Sequence, residues 1–167
     1  LPLIGFAPYI SVKMSDSTEA IANQIEFYFS DSNFRRDKFL KTTAGKDAEG
    51  FVTIATLLTF NKLKSLTTDE AAIAKAVAES KTVTVSDCGT KIKRSFPLPE
   101  EDTTLPRTLY AKGFPTDDTV TLEMIHEFFS KMGKVLMVVL RKIPSTKKFK
   151  GSVFVEFDSA ETMEAAK

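Results

Sequence analysis

The chain has 167 residues, enough for one large domain or two small ones. Its 23 basic and 22 acidic side chains leave a net charge of +1, which excludes a polybasic protein; any contact with nucleic acid has to rest on local geometry. The single cysteine, Cys88, excludes an internal disulfide, and the single histidine, His126, excludes a His-based catalytic set or zinc site. No apolar run of about 18 residues is present to span a membrane.

Residues 1–13, LPLIGFAPYISVK, are apolar but broken by Pro2, Gly5 and Pro8, and they lack the basic start of a signal peptide. Met14, followed by polar Ser15, Asp16 and Ser17, reads as a start. Residues 1–14 are therefore expected to form a leader or disordered tail, with a first domain over 15–97. Ile21, Ile25 and Phe29 recur at i, i+4 and i+8, the apolar stripe of a helix. Gln24, Phe27 and Tyr28 flank that stripe, where the two rings can equally join the core. Asp37 is placed to cap a short helix through Lys38, Phe39 and Leu40. Polar residues 45–50 read as a loop, 51–53 as a strand and 54–60 as one helix. Thr67 to Glu70 forms a capping box for an Ala-rich helix over 70–79. Residues 82–85 and 90–94 flank Gly89 in a hairpin pattern, with Cys88 inert in its turn. Helices followed by a hairpin is the winged-helix order. Lys91, Lys93 and Arg94 on that hairpin would also suit the phosphates of duplex DNA.

Residues 97–106 hold three Pro and three consecutive acids and set a linker at 98–106. A second domain follows over 107–167. Residues 109–114 read as a strand, 122–132 as a helix behind Asp117, Asp118 and Thr119, and 135–141 as a second strand. In 151–157, Val153, Val155 and Phe157 alternate with Ser152, Phe154 and Glu156, a third strand. Ser159 caps a final helix. The order is β-α-β-β-α. Lys134, Arg141, Lys142, Lys147, Lys148 and Lys150 form an acid-free basic run, either a solvated face or a phosphate contact.

The stretch from Gln24 to Leu40, QIEFYFSDSNFRRDKFL, packs five aromatics, two Asp and two Arg into seventeen residues. With EGFVTIATLLTFNKLKSLTTD downstream, it closely resembles the La motif, an elaborated winged helix. Lys150 to Phe157, KGSVFVEF, resembles the RNP1 strand of an RNA recognition motif (RRM), with Tyr110 at the RNP2 stacking position. Ser152 stands where that pattern has an aromatic, a departure shared by La proteins. The resemblance implies an α+β chain: a winged-helix-like La motif, then a ferredoxin-like βαββαβ RRM without its last strand.

It further implies that Gln24, Phe27, Tyr28, Asp37, Phe39 and Phe60 hold the uridine-rich 3′ end of single-stranded RNA. Phe27 is usually Tyr in the family, so a hydroxyl is lost there. Asp37 can accept from both the 2′ and 3′ hydroxyls of a free end, and its charge would repel a 3′-phosphate. Gln24 would read a uracil edge, and Phe39 and Phe60 would stack. Arg36, Asn61 and Lys62 would meet backbone or sugar. In the second domain, Tyr110 and Phe154 would stack, while Met137 and Val138 would lean toward the bound RNA. No cofactor, metal or catalytic residue is implied. The implied protein is a nuclear, monomeric binder of RNA polymerase III transcripts such as pre-tRNA. A La-related protein with another RNA, or a duplex-DNA reader with a protein-binding RRM, are the alternatives.

Overall fold

A computed structural model describes residues 14–117 and 119–167. The leader reading falls outside these residues, except that Met14 opens the first helix. The chain divides after Leu98 into two compact units.

In the first unit, α1 (Met14–Phe29), α2 (Asp31–Phe34) and α3 (Lys38–Ala44) precede β1 (Val52–Thr53), α4 (Ile54–Leu57), α5 (Asn61–Leu66) and α6 (Glu70–Ala76). β2 (Val83–Val85) and β3 (Lys91–Arg94) close it, in an antiparallel sheet of order β1-β3-β2. The expected stripe is the core face of α1: Ile21 is 4% exposed and Ile25 and Phe29 are fully buried. Leu40, Ile54, Leu57, Leu63, Ile73 and Ile92 join them in one cluster. Each such side chain contributes about 1.5–3 kcal/mol by leaving water.

Short helices survive here because their first turns are capped from the sequence. Ser30, Asp37, Thr53 and Asp69 each accept a backbone N–H at the start of α2, α3, α4 and α6. Two expectations need correction. The helix expected over 54–60 breaks after Leu57, because Thr59 N, Thr59 Oγ1 and Phe60 N turn back to carbonyls three residues earlier. Phe60 becomes the N-cap of α5, a helix not expected at all. The cap of α6 is Asp69, accepting from Ala71 N at 2.9 Å, while Thr67 Oγ1 holds Asp69 N at 3.1 Å. That helix ends at Ala76 rather than 79.

The hairpin forms as expected, with Gly89 at φ +70°. Its cations are engaged. Lys91 pairs with Asp47 at 3.1 Å and Lys93 with Glu49 at 3.5 Å. Arg94 donates to the Phe29 carbonyl at the end of α1 and to the Asp31 carboxylate at the start of α2.

The second unit runs β4 (Thr108–Lys112), α7 (Leu122–Ser130), β5 (Val135–Lys142), β6 (Phe149–Phe157) and α8 (Ala160–Ala165). Its antiparallel sheet has the order β4-β6-β5, so the expected third strand lies in the centre. Ile125, Phe129, Val138, Val153, Val155, Phe157 and Met163 form the core. Ser159 caps α8 as expected; α7 is capped by Thr121, which accepts from Met124 N. Residues 104–106, read as linker, are ordered: Thr104 is buried and Leu105–Arg107 forms a 3-10 turn that packs on α8.

The alternation along β6 is only half a solvent face. Val153, Val155 and Phe157 point inward, yet Ser152 and Glu156 on the other side are also buried. Arg107 lies on Glu156, with Nη2 and Nε donating to Oε1 at 2.9 and 3.1 Å. Gly151 sits at φ +76°, and a Cβ there would lie 2.7 Å from the Phe114 carbonyl, so no other residue fits.

Candidate nucleic-acid interface

Three elements of the first unit converge on one aromatic cluster. α1 supplies Gln24, Phe27 and Tyr28; the start of α3 supplies Asp37 and Phe39; the start of α5 supplies Phe60. The Tyr28 and Phe60 centroids are 4.9 Å apart, edge to face, and Phe39 and Phe60 are 5.7 Å apart. Phe27 meets Tyr28 at 6.3 Å. Exposure is graded along this chain of rings: Tyr28 is 8% exposed and Phe39 is 53% exposed. A buried aromatic base therefore supports one ring face left open to solvent. Such an arrangement serves stacking on an external partner better than it serves stability.

Tyr28 is the hinge of the cluster. Burial pushes its phenol above the ordinary range, while hydrogen bonds from the Gln24 side chain and the Leu63 backbone N–H oppose the shift and the Asp37 charge adds to it. Leu63 N–H is one of the unsatisfied donors in the first turn of α5, whose N-cap Phe60 makes no side-chain cap. Tyr28 is buried, so Tyr28→Phe is expected to change stability by about 1 kcal/mol in urea unfolding; an unchanged midpoint would show that the hydroxyl contributes nothing.

Asp37 caps α3 as expected, its Oδ1 accepting from Leu40 N at 3.0 Å. Two oxygens carry about four lone-pair sites, so the cap leaves acceptor capacity. Arg36, Asn61 and Lys62 are exposed near the same helix starts.

On the second unit, Tyr110 and Phe154 face each other at 5.4 Å, 46% and 37% exposed. Arg141 of β5 reaches over both rings, a residue the sequence reading placed only in a basic run. Met137 is half-buried. Val138 pairs with Val155 on the inward face and is a core residue at 8% exposure, so strand alternation turns it away from any ligand. Cys88 stays outside both sites; hydrogen bonds from Ser86 and Thr90 lower its thiol to about 7.

An aromatic, carboxylate and amide cluster on a winged helix, followed by a three-stranded sheet with exposed rings, defines a tandem of RNA-binding modules. A La domain signature matches residues 21–79, and an RNA recognition motif signature matches residues 109–167. The chain belongs to the La family, whose La and RRM domains bind RNA rather than catalyse. It is 42% identical over 159 residues to the Lupus La protein homolog of Mus musculus, covering 90% of this chain and 37% of that one. It is 40% identical over 142 residues to La-related protein 7 of Xenopus tropicalis, covering 84% and 24%. The chain thus spans well under half the length of either relative. Among solved structures, the La autoantigen N-terminal domain is 38% identical, covering 56% of this chain and 100% of that one, with a TM-score of 0.49.

Proposed function

We propose that the chain captures the 3′-hydroxyl end of uridine-rich single-stranded RNA. On newly made RNA polymerase III transcripts such as pre-tRNA, in the nucleus, this would shield the end from exonucleases and aid maturation. The observation that carries the reading is the open ring of Phe39, two residues from Asp37 and backed by Phe60 and Tyr28. A terminal base stacks on Phe39, and its ribose hydroxyls donate to the Asp37 carboxylate. The Gln24 amide offers both donors and an acceptor for a uracil edge. A base that leaves those polar groups unpaired is rejected. Arg36, Asn61 and Lys62 contact backbone and sugar; on the second unit, taken by itself, Tyr110, Phe154 and Met137 also meet RNA.

The duplex-DNA alternative needed free cations on the hairpin, and Lys91, Lys93 and Arg94 are held by Asp47, Glu49 and Asp31. A La-related specificity is the closer rival, since relatives of both names match at similar identity. Fluorescence anisotropy at fixed salt, with oligouridylate ending in a 3′-hydroxyl or a 3′-phosphate, tests the proposal. Equal binding of both ends by the wild type would sink it, and preferential binding of oligoadenylate would favour the rival. Phe39→Ala is expected to weaken oligouridylate binding by about 1–3 kcal/mol with no change in melting temperature. Loss of stability without loss of affinity would make Phe39 a packing residue.

A further inference from the structure

Ser152 stands where the RNP1 pattern has an aromatic, on the same strand as Phe154. Leu140 pairs with Val153, both turned toward the core side of the sheet. Arg141 and Ser152, one step along each strand, therefore share the opposite face with Tyr110 and Phe154. The Arg141 guanidinium carbon is 5.6 Å from the Tyr110 ring centroid and 5.7 Å from that of Phe154. The two ring centroids are themselves 5.4 Å apart, so the three planar groups form a nearly equilateral set. Arg141 Nη1 donates to the Tyr110 hydroxyl at 3.3 Å. Hydrogen bonds from Ser152 and then Arg141 hold the Tyr110 phenol below its ordinary range. Ser152 is 3% exposed beneath this arrangement. None of the ion pairs among the described residues involves Arg141, so its charge faces two rings and solvent.

We propose that Arg141 replaces the missing third aromatic: its guanidinium completes a stacking face with Tyr110 and Phe154 for an RNA base, and its charge holds a phosphate of the same strand. A guanidinium is planar and weakly hydrated, and bases stack on it as they do on aromatic rings. A serine at 152 leaves the room that this side chain needs; a larger residue would push it off the rings. An ammonium could supply the charge but not the plane. The proposal rests on the reading that this sheet meets single-stranded RNA.

The test uses the full chain and a uridylate decamer with a 3′-hydroxyl end, carrying one 2-aminopurine at successive upstream positions. In the wild type, one position should be quenched by stacking. Arg141→Ala is expected to weaken binding about tenfold and to remove that quenching. Arg141→Lys should keep the dependence of affinity on salt but not the quenching. Ser152→Phe in the Arg141→Ala background should restore the quenching. Wild-type quenching in Arg141→Lys would overturn the proposal, since a point charge would then suffice. Undiminished affinity in Arg141→Ala would overturn it too, since the arginine would then only cover the rings. If no position is quenched in the wild type and Phe154→Ala binds normally, the sheet is not an RNA face, and the underlying reading fails along with the proposal.

Discussion

Asp37→Asn is expected to abolish the preference for a 3′-hydroxyl over a 3′-phosphate end while leaving the melting temperature almost unchanged. The two jobs of this side chain come apart in that substitution. As N-cap of α3, Asp37 needs one oxygen for Leu40 N, and Asn caps a helix about as well as Asp. As the proposed end reader it needs a charged acceptor for two hydroxyl donors. Asn keeps one carbonyl oxygen and substitutes a donor for the other. Losing charge-assisted hydrogen bonds of this kind costs about 1.5–3 kcal/mol, which is roughly tenfold to more than a hundredfold in affinity. The lost repulsion also admits the 3′-phosphate. Asp37→Ala should show both defects, with about 1 kcal/mol of stability lost besides. Anisotropy with the two oligouridylates, beside thermal unfolding of each variant, separates them. An Asn variant that still prefers the hydroxyl end would leave Asp37 as a cap alone.

Arg107→Ala is expected to destabilise the second unit by about 3–5 kcal/mol, the largest effect of any polar substitution considered. Glu156 is 1% exposed at its side chain, and Arg107 covers it with two hydrogen bonds while itself only 21% exposed. Truncating the arginine leaves a buried carboxylate without its cation. Replacing both partners, as Arg107→Met with Glu156→Leu, should recover most of the loss, because neither charge then has to be desolvated. Urea unfolding monitored on the second unit decides it. A loss below about 1 kcal/mol for Arg107→Ala would mean that the pair behaves as a surface ion pair.

The helix faces were legible because burial follows period: Ile21, Ile25 and Phe29 are where a stripe at i, i+4 and i+8 must be. The hairpin was legible because Gly89 permits a conformation that few residues tolerate. The break between α4 and α5 was not, because apolar spacing continues through Thr59 and only backbone hydrogen bonds reveal the turn. Gln24, Phe27, Tyr28, Asp37, Phe39 and Phe60 were grouped through resemblance. Their gradation was hidden, since only the fold shows Tyr28 buried and Phe39 open to solvent. Val138 came from resemblance alone, and only the pairing with Val155 shows that its side chain is buried. Arg141 was hidden because a cation in a basic run looks solvated until the strand beside it shows what it lies over.

The attachment of Arg94 to Phe29 and Asp31 has a consequence for biosynthesis. β1 has only two residues and pairs with β3 alone, and the arginine that ties α1 to α2 belongs to that same strand, more than sixty residues downstream. Contacts so distant in sequence form late and slowly. On the ribosome, the helix that carries Gln24 and Tyr28 emerges long before the strand that fixes its end. The first unit therefore completes its fold only once Arg94 has cleared the exit tunnel.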